Sequence, residues 1–115
     1  EATLRRDVSR ALHHQRTIEL AGSCHMFTRT PEGGYLGTGA AIRDADFRDQ
    51  AGQIAVPTIC VVGEQDGATP PALVKATADL IPGAGFEVIA NAGHIPCAEQ
   101  PAALCKIIRQ LMAQI

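Results

Sequence analysis

The sequence predicts an α/β fold, because two short apolar segments alternate with two segments of helical pattern in its second half. The first apolar segment, Ile54 to Gly63, is apolar on both faces, as a buried parallel strand is. The second, Phe86 to Ala90, is shorter and mostly apolar. The order strand, helix, strand, helix predicts two parallel strands joined by a crossover helix.

A helix is predicted after each strand. Thr69 is predicted to cap a helix that starts with a proline pair and runs to about Ile81, where Pro82 and Gly83 end it. A closing helix is predicted from a one-sided apolar pattern, formed by Leu104, Ile107, Ile108, Leu111, Met112 and Ile115.

Residues 1–50 show helical patterns and no predicted strand. Apolar residues recur at helical spacing from Leu4 onward and predict a first helix. A second predicted helix, Tyr35 to Gln50, is diluted by glycine. The sequence thus divides into a helical region, residues 1–50, and an α/β region, residues 51–115.

The composition argues against several classes of partner and site. The net charge is −2 and the basic residues are scattered, so no electrostatic surface for nucleic acid or an anionic membrane is expected. Three Phe, one Tyr and no Trp also argue against a base-stacking surface. No apolar run approaches the roughly 20 residues of a membrane span. The four cysteines form no C-x-x-C pair, which together with the absence of a signal peptide predicts a cytoplasmic protein.

Two polar residues follow the predicted strands at comparable positions. Asp66 comes three residues after the first strand, and His94 comes four residues after the second. Because the carboxyl ends of parallel strands meet at one edge of the sheet, both side chains are expected in one crevice. A carboxylate beside an imidazole can fix its tautomer and stabilise its protonated form.

Structural roles compete with this interpretation. A histidine in a loop is usually structural, and Asp66 before Gly67 has the pattern of a turn. Glu64 is an alternative acid, two residues earlier. Cys97 is a poor candidate for a nucleophile, because the loop that delivers the base cannot easily also present the attacking group.

Other polar residues are weaker candidates. A zinc site would use the H-x-x-C spacing of His94 and Cys97 or the adjacent Cys24 and His25, but no second paired motif supports it. Asp46 is expected to lie on a solvated helix face. The other candidates are expected to be solvated or packing side chains, with substrate contact as the alternative: Arg43 with Asp44, Tyr35, His13 and His14.

The segments VPTICVVGEQDGATPP and IPGAGFEVIANAGHIPCAEQP resemble the final quarter of an α/β-hydrolase. The resemblance is carried by G-x-x-D-x-x-T-P at Gly63 to Pro70 and by Gly93-His94. The upstream segment TPEGGYLGTGAAIRDADFRD is similar to the 3-oxoadipate enol-lactonases, and the match covers roughly residues 30–115. It implies a carboxy-terminal fragment: residues 1–50 as part of a helical cap, and residues 51–115 as the last two parallel strands with their helices.

The resemblance also implies roles. Asp66 would be the acid and His94 the base of a catalytic triad in a serine hydrolase, which needs no metal or organic cofactor. The expected substrate is a small carboxylate lactone or ester; the enol-lactone leading to 3-oxoadipate belongs to the β-ketoadipate pathway of aromatic catabolism. A carboxylesterase or haloperoxidase-like enzyme is the alternative.

The nucleophile of such an enzyme is missing from this sequence. No G-x-S-x-G elbow is present, and the two serines, Ser9 and Ser23, lack its glycines. The chain alone is therefore expected to be inactive, as the end of a longer hydrolase or as a truncated, non-catalytic chain. Because two strands cannot cover both faces and edges of a sheet, the chain is expected to associate with a missing amino-terminal part or with a second copy.

Overall fold

The computed structural model describes residues 17–115. The elements within this range are α1 (Thr17–Thr28), α2 (Glu32–Asp44), α3 (Arg48–Ala51), β1 (Ile59–Gly63), α4 (Pro71–Ala78), β2 (Gly85–Ile89), α5 (Pro96–Glu99) and α6 (Pro101–Met112). The helix predicted from Leu4, together with His13, His14 and Ser9, lies outside the described residues. None of the helices described is both long and apolar enough to cross a membrane.

Residues 17–51, the described part of the helical region and one residue beyond it, form two helices and a short third one. The predicted single helix from Tyr35 to Gln50 is wrong in its bounds, since α2 begins three residues earlier and a break at 45–47 precedes α3. Asp46 accepts the backbone N–H of Arg48 at 3.1 Å, which satisfies a donor at the start of the new helix. The Phe27 and Tyr35 rings join α1 to α2 by an edge-to-face contact, with 5.4 Å between ring centroids.

The sheet consists of two parallel strands, as predicted. Ile59 lies opposite Gly85 and Gly63 lies opposite Ile89. β1 begins five residues later than predicted, because β2 offers no partner before Gly85. Pro57, which lacks an N–H, lies in the irregular segment that precedes β1.

Helices pack on the sheet through its alternating side chains. α6 packs on β2 through a buried cluster formed by Ile89, Ala92 and Ile107. Because side chains alternate along a strand, Val62 of β1 points to the face opposite that of Ile89, and it is also buried. α4 is the crossover helix and lies against β1.

Two helix predictions need correction. Thr69 is not the cap of α4: Pro70 holds that position without a side-chain hydrogen bond, and α4 ends at Ala78, short of the predicted Ile81. In α6 the predicted apolar face is covered only in part. Ile107 is buried, whereas Met112 is 67% exposed.

Candidate active site

The loops that follow the two strands meet at one edge of the sheet. The loop after β1 (residues 64–70) carries Asp66, and the loop after β2 (residues 90–95) carries His94. Gln65 donates its backbone N–H to the carbonyl of Ala92 at 2.8 Å. The two loops are therefore joined by backbone as well as by side chains.

Gly63 permits this close approach. A Cβ atom at this position would lie 2.1 Å from the carbonyl oxygen of Gly93 and 2.5 Å from that of Ala92. Both neighbours are backbone atoms, which cannot move aside as a flexible side chain can. The residue at the end of β1 must therefore be glycine for the histidine loop to take this course.

A sharp turn directs the chain from β2 toward the site. Asn91 has a φ of 55°, in the left-handed region that asparagine tolerates better than most residues. Its N–H donates to the Glu64 carboxylate at 3.2 Å. Glu64, the alternative acid of the sequence analysis, thus contacts the backbone of the histidine loop.

Asp66 is buried and its carboxylate accepts several hydrogen bonds. Its Oδ1 accepts the backbone N–H groups of Ala68 at 2.9 Å and Thr69 at 2.8 Å. Its Oδ2 accepts the Thr69 hydroxyl at 2.8 Å. The turn role and the pairing role considered from the sequence are thus both present in one side chain.

Two opposing effects act on the pKa of Asp66. Burial raises the pKa, but the hydrogen bonds from His94, from the Thr69 amide and hydroxyl and from the Ala68 amide together hold it below its usual value. The carboxylate is therefore ionised at neutral pH and can stabilise a positive charge on its neighbour.

His94 reaches this carboxylate with one ring nitrogen. Nδ1 lies 3.1 Å from Oδ1 and 3.0 Å from Oδ2 of Asp66. An ionised carboxylate only accepts hydrogen bonds, so in the neutral form of the ring Nδ1 carries the proton and Nε2 has the lone pair. The side chain of His94 is 43% exposed, whereas that of Asp66 is 5% exposed. The pair can take up a proton at Nε2 and stabilise the resulting imidazolium.

Thr69 is the site residue whose role the sequence analysis missed. Besides donating to Asp66, its hydroxyl oxygen lies 3.3 Å from Nδ1 of His94. The threonine of the T-P dipeptide, which was assigned to a helix cap, instead contacts both members of the pair. Its position in the G-x-x-D-x-x-T-P motif was the available signal.

Glu99 is a second residue without a predicted role. It is buried, and its Oε1 accepts backbone N–H groups from the histidine loop. No sequence pattern distinguished it from a solvated acidic residue near the start of a helix.

The competing metal site finds no support in residues 17–115. Within that range, no three His, Cys, Asp or Glu side chains lie close enough to hold one ion. Cys97 is exposed and Cys24 is half-buried, and both are free thiols.

The weaker candidates lie in the helical region and have local partners. Arg43 forms a two-pronged ion pair with Asp44, and both side chains are exposed. Asp46 pairs with Arg48, and this hydrogen bonding lowers the pKa of Asp46 to about 2. Tyr35 is half exposed and packs on α1.

Comparison with known proteins shows a likeness in structure. No protein-family profile and no curated protein sequence matches the chain. The enol-lactonase from Burkholderia xenovorans LB400 is 29% identical with a TM-score of 0.92, over 97% of this chain and 43% of that enzyme. A thermophilic esterase from Thermogutta terrifontis is 26% identical with a TM-score of 0.90, over 98% and 42%. An N-acyl homoserine lactone degrading enzyme is 29% identical with a TM-score of 0.77, over 95% and 44%.

The chain thus spans less than half the length of these solved enzymes. Its two parallel strands and their helices follow one another as predicted for the end of such a fold. The chain therefore has the fold of the carboxy-terminal portion of an α/β-hydrolase.

Proposed function

We propose that this chain supplies the acid and the base of a serine-type hydrolase that opens a small enol-lactone. The observation that carries the proposal is the contact between the Asp66 carboxylate and Nδ1 of His94, with Nε2 left as a proton acceptor. The likeness to an enol-lactonase at 29% identity supports the lactone as substrate, and 3-oxoadipate enol-lactone is the member we favour.

The proposed reaction has two stages. In the first, Nε2 of His94 takes the proton of a serine hydroxyl as the oxygen attacks the lactone carbonyl. The ring C–O bond breaks, and the imidazolium returns that proton to the departing enolate oxygen. The substrate is then held as an ester of the serine.

In the second stage His94 activates water. Nε2 takes a proton from the water molecule as its oxygen attacks the ester carbonyl, and then gives that proton to the serine oxygen as the ester bond breaks. Asp66 stabilises the imidazolium in both stages. The histidine must therefore alternate between two charges beside one fixed carboxylate.

The nucleophile must come from outside this sequence, which has no G-x-S-x-G elbow. We propose that an amino-terminal part of the hydrolase provides it, and that this part covers the exposed apolar side chains of the chain. The alternative occupant of that surface is a second copy. The exposed set includes Ile42, Phe47, Val56, Leu73 and Val88.

A different ester hydrolase is the second candidate. The likeness to the Thermogutta terrifontis esterase, at 26% identity, favours it. Asp66 and His94 would have the same roles there, as they also would in a haloperoxidase-like enzyme. The substrate, and not the acid–base pair, separates these candidates.

The first experiment is an intact mass measurement on the protein as its source produces it, followed by assays with enol-lactones and simple esters. A mass well above 12.1 kDa with faster turnover of the enol-lactone supports the proposal. Preference for simple esters favours the esterase. A 12.1 kDa species with no activity on either class contradicts the proposal.

Replacing His94 with Gln tests the base directly. Turnover by the protein as its source produces it (the source form) should fall by about three orders of magnitude or more, because in the proposed reaction no other group takes the serine proton. The matched control is His25→Gln, on an exposed position of α1. Equal activity of the two variants would remove His94 from the mechanism.

The association proposal has its own measurement, because it does not depend on catalysis. Solution scattering on the 115-residue chain should show dimers or larger species, and addition of the amino-terminal part should replace them with a one-to-one complex. A monodisperse monomer that does not bind the amino-terminal part would contradict it.

We also propose that the protein works in a reducing compartment, the cytoplasm, because Cys24, Cys60, Cys97 and Cys105 are free thiols.

A further inference from the structure

Two acidic side chains of the described region are buried, Asp66 and Glu99. The proposed reaction uses only the first. Glu99 is 3% exposed and lies at the end of α5, five residues after His94. A buried carboxylate is costly to desolvate, so its hydrogen bonds must offset that cost.

The hydrogen bonds of Glu99 go to the residues on either side of the histidine. Its Oε1 accepts the backbone N–H of Gly93 at 3.0 Å and that of Ile95 at 3.2 Å. One oxygen thus holds the backbone N–H groups of both residues that flank His94. The imidazole itself is left free to meet Asp66.

The helix that carries Glu99 closes on the same segment. Ala98 and Glu99 donate their N–H groups to the carbonyl of Ile95, each at 3.0 Å. The backbone of residues 95–99 and the Glu99 side chain therefore form a closed set of hydrogen bonds. A shift of α5 would move the histidine backbone with it.

The other side of this loop is fixed by β1. The carbonyl oxygen of Gly93 lies only 2.1 Å from the position that a Cβ of residue 63 would take, so this carbonyl group is packed on the end of the strand. Gly93 is thus held through its oxygen side by packing and through its N–H by Glu99. Together these contacts set the point from which His94 extends.

We propose that Glu99 is a positioning residue for His94: the buried Glu99 carboxylate oxygen holds the backbone N–H groups of the two flanking residues, Gly93 and Ile95, so that the imidazole meets Asp66. The inference rests on the proposed function in one respect, that His94 is the base being positioned. Its structural content, the dependence of the His94–Asp66 contact on Glu99, can be measured without any substrate.

Glu64 provides a matched control in the same loop. It also accepts a backbone N–H through its side chain, that of Asn91 at 3.2 Å, but it is exposed and accepts one such bond. If any carboxylate contact to the loop were enough to position His94, replacing Glu64 or Glu99 would have similar effects on the contact between His94 and Asp66. The proposal expects a large difference between them.

The experiment compares Glu99→Gln, Glu99→Asp, Glu99→Ala and Glu64→Ala in the 115-residue chain by NMR. The first readout is the Nδ1–H proton signal of His94, which appears only while a carboxylate shields that proton from exchange. The second is the titration midpoint of the Asp66 carboxyl, which the contact with His94 lowers.

Glu99→Ala should abolish the Nδ1–H signal and move the Asp66 midpoint upward, while Glu64→Ala leaves both unchanged. Glu99→Gln keeps an oxygen at the same distance and should restore both signals. Glu99→Asp keeps the charge but is one methylene shorter, and should restore neither. If Glu99→Ala does not fold, the proposal is tested by whether Glu99→Gln keeps the Nδ1–H signal and the Asp66 midpoint better than Glu99→Asp does.

Two results would overturn the inference. One is a wild-type Nδ1–H signal and Asp66 midpoint in Glu99→Ala. The other is better restoration by Asp than by Gln, which would mean that the charge matters and the oxygen position does not. Failure of the proposed hydrolase activity would leave these signals untouched, so the two hypotheses fail separately. If both hold, Glu99→Ala should lower kcat at least tenfold with little change in KM.

Discussion

The two loops of the site hold their functional side chains in different ways. Asp66 is fixed through the side chain itself, which is buried and accepts hydrogen bonds from Ala68 and Thr69. His94 is fixed through its backbone, while its ring is almost half exposed. In the proposed reaction, Asp66 keeps one charge throughout, whereas His94 exchanges protons with groups outside the chain. Asp66, whose side chain is the more firmly fixed of the two, is therefore the residue whose charge stays constant in that reaction.

Asp66→Asn should have the largest effect on turnover, because it removes the hydrogen bond between Nδ1 of His94 and the Asp66 carboxylate that joins the two loops. The amide oxygen can still accept the Ala68 and Thr69 N–H groups, and the NH₂ group would then face Nδ1 of His94. Nδ1 would become an acceptor, and Nε2 would carry the proton and lose its lone pair. Turnover of the source form should fall by about three to four orders of magnitude.

Steady-state kinetics checks this prediction, with Glu64→Gln as the control. Glu64 was the alternative acid, and its carboxylate contacts Asn91. An equal loss in both variants would place the acid elsewhere.

Gly63→Ala should have the next largest effect, because it forces the loops apart. The new methyl would meet two backbone carbonyls at well under 3.0 Å. We expect a loss of at least about 3 kcal/mol in unfolding free energy, at the upper end for overpacked positions. Urea unfolding measures it.

The control for this variant is Gly39→Ala in α2, where nothing lies within 4 Å of the added methyl. Alanine is favoured over glycine inside a helix by up to about 1 kcal/mol, so this change should be neutral or stabilising. Similar destabilisation by both substitutions would mean that the close approach at Gly63 does not exist.

Thr69→Val sharpens the comparison on the acid side. Valine keeps the shape but removes the hydroxyl that donates to Asp66. The variant loses one hydrogen bond from a neutral donor to a charged acceptor. We therefore expect about 1–2 kcal/mol of destabilisation and a rise in the pKa of Asp66. Thr77→Val is the control, since the Thr77 hydroxyl donates only to a helix carbonyl, that of Leu73. An unchanged Asp66 titration would contradict the assigned contact.

The lowered pKa of Asp66 also predicts a pH dependence. The unfolded chain takes up the proton near the ordinary value of about 3.9, while the folded chain takes it up only at lower pH. The stabilising contribution is therefore complete above about pH 5 and is lost as the pH falls through 4 and below. Urea unfolding at several pH values should show this loss in the parent chain and a smaller one in Asp66→Asn.

The smallest effect is expected for Asp46→Asn in the helical region. Its pKa of about 2 comes from an exposed pair with Arg48, which solvent screens. Unfolding at neutral pH should not change beyond experimental error. A clear loss would mean that a low pKa alone marks a stabilising residue here.

The sequence predicted the part of the site that strand order determines. Two apolar strands joined by a crossover helix are expected to be parallel, and the loops that follow them then share an edge, so the meeting of Asp66 and His94 could be predicted. The roles of Thr69 and Glu99 could not. Each depends on which backbone N–H or side chain lies nearby after packing, and their local patterns are equally typical of a helix cap and a solvated acid.

The strand bounds show the same limit. The predicted first strand extended back to Ile54, because the apolar pattern does. β1 begins at Ile59 instead, because a strand exists only where another strand pairs with it, and β2 begins opposite that residue. The pattern of one segment cannot specify where its partner starts.

The parallel pairing of β1 with β2 also has a consequence for the order of folding. Paired residues such as Ile59 and Gly85 are 26 positions apart, so the chain must close a long loop before this ladder gains any hydrogen bond. Helices α4 and α6 contain mostly local contacts and can form earlier. The acid–base pair lies beyond the last rung of the ladder, at Gly63 and Ile89, and is expected to assemble late in folding. The contact between Asp66 and His94 would then form only after the whole ladder has closed, so its appearance would mark the end of folding.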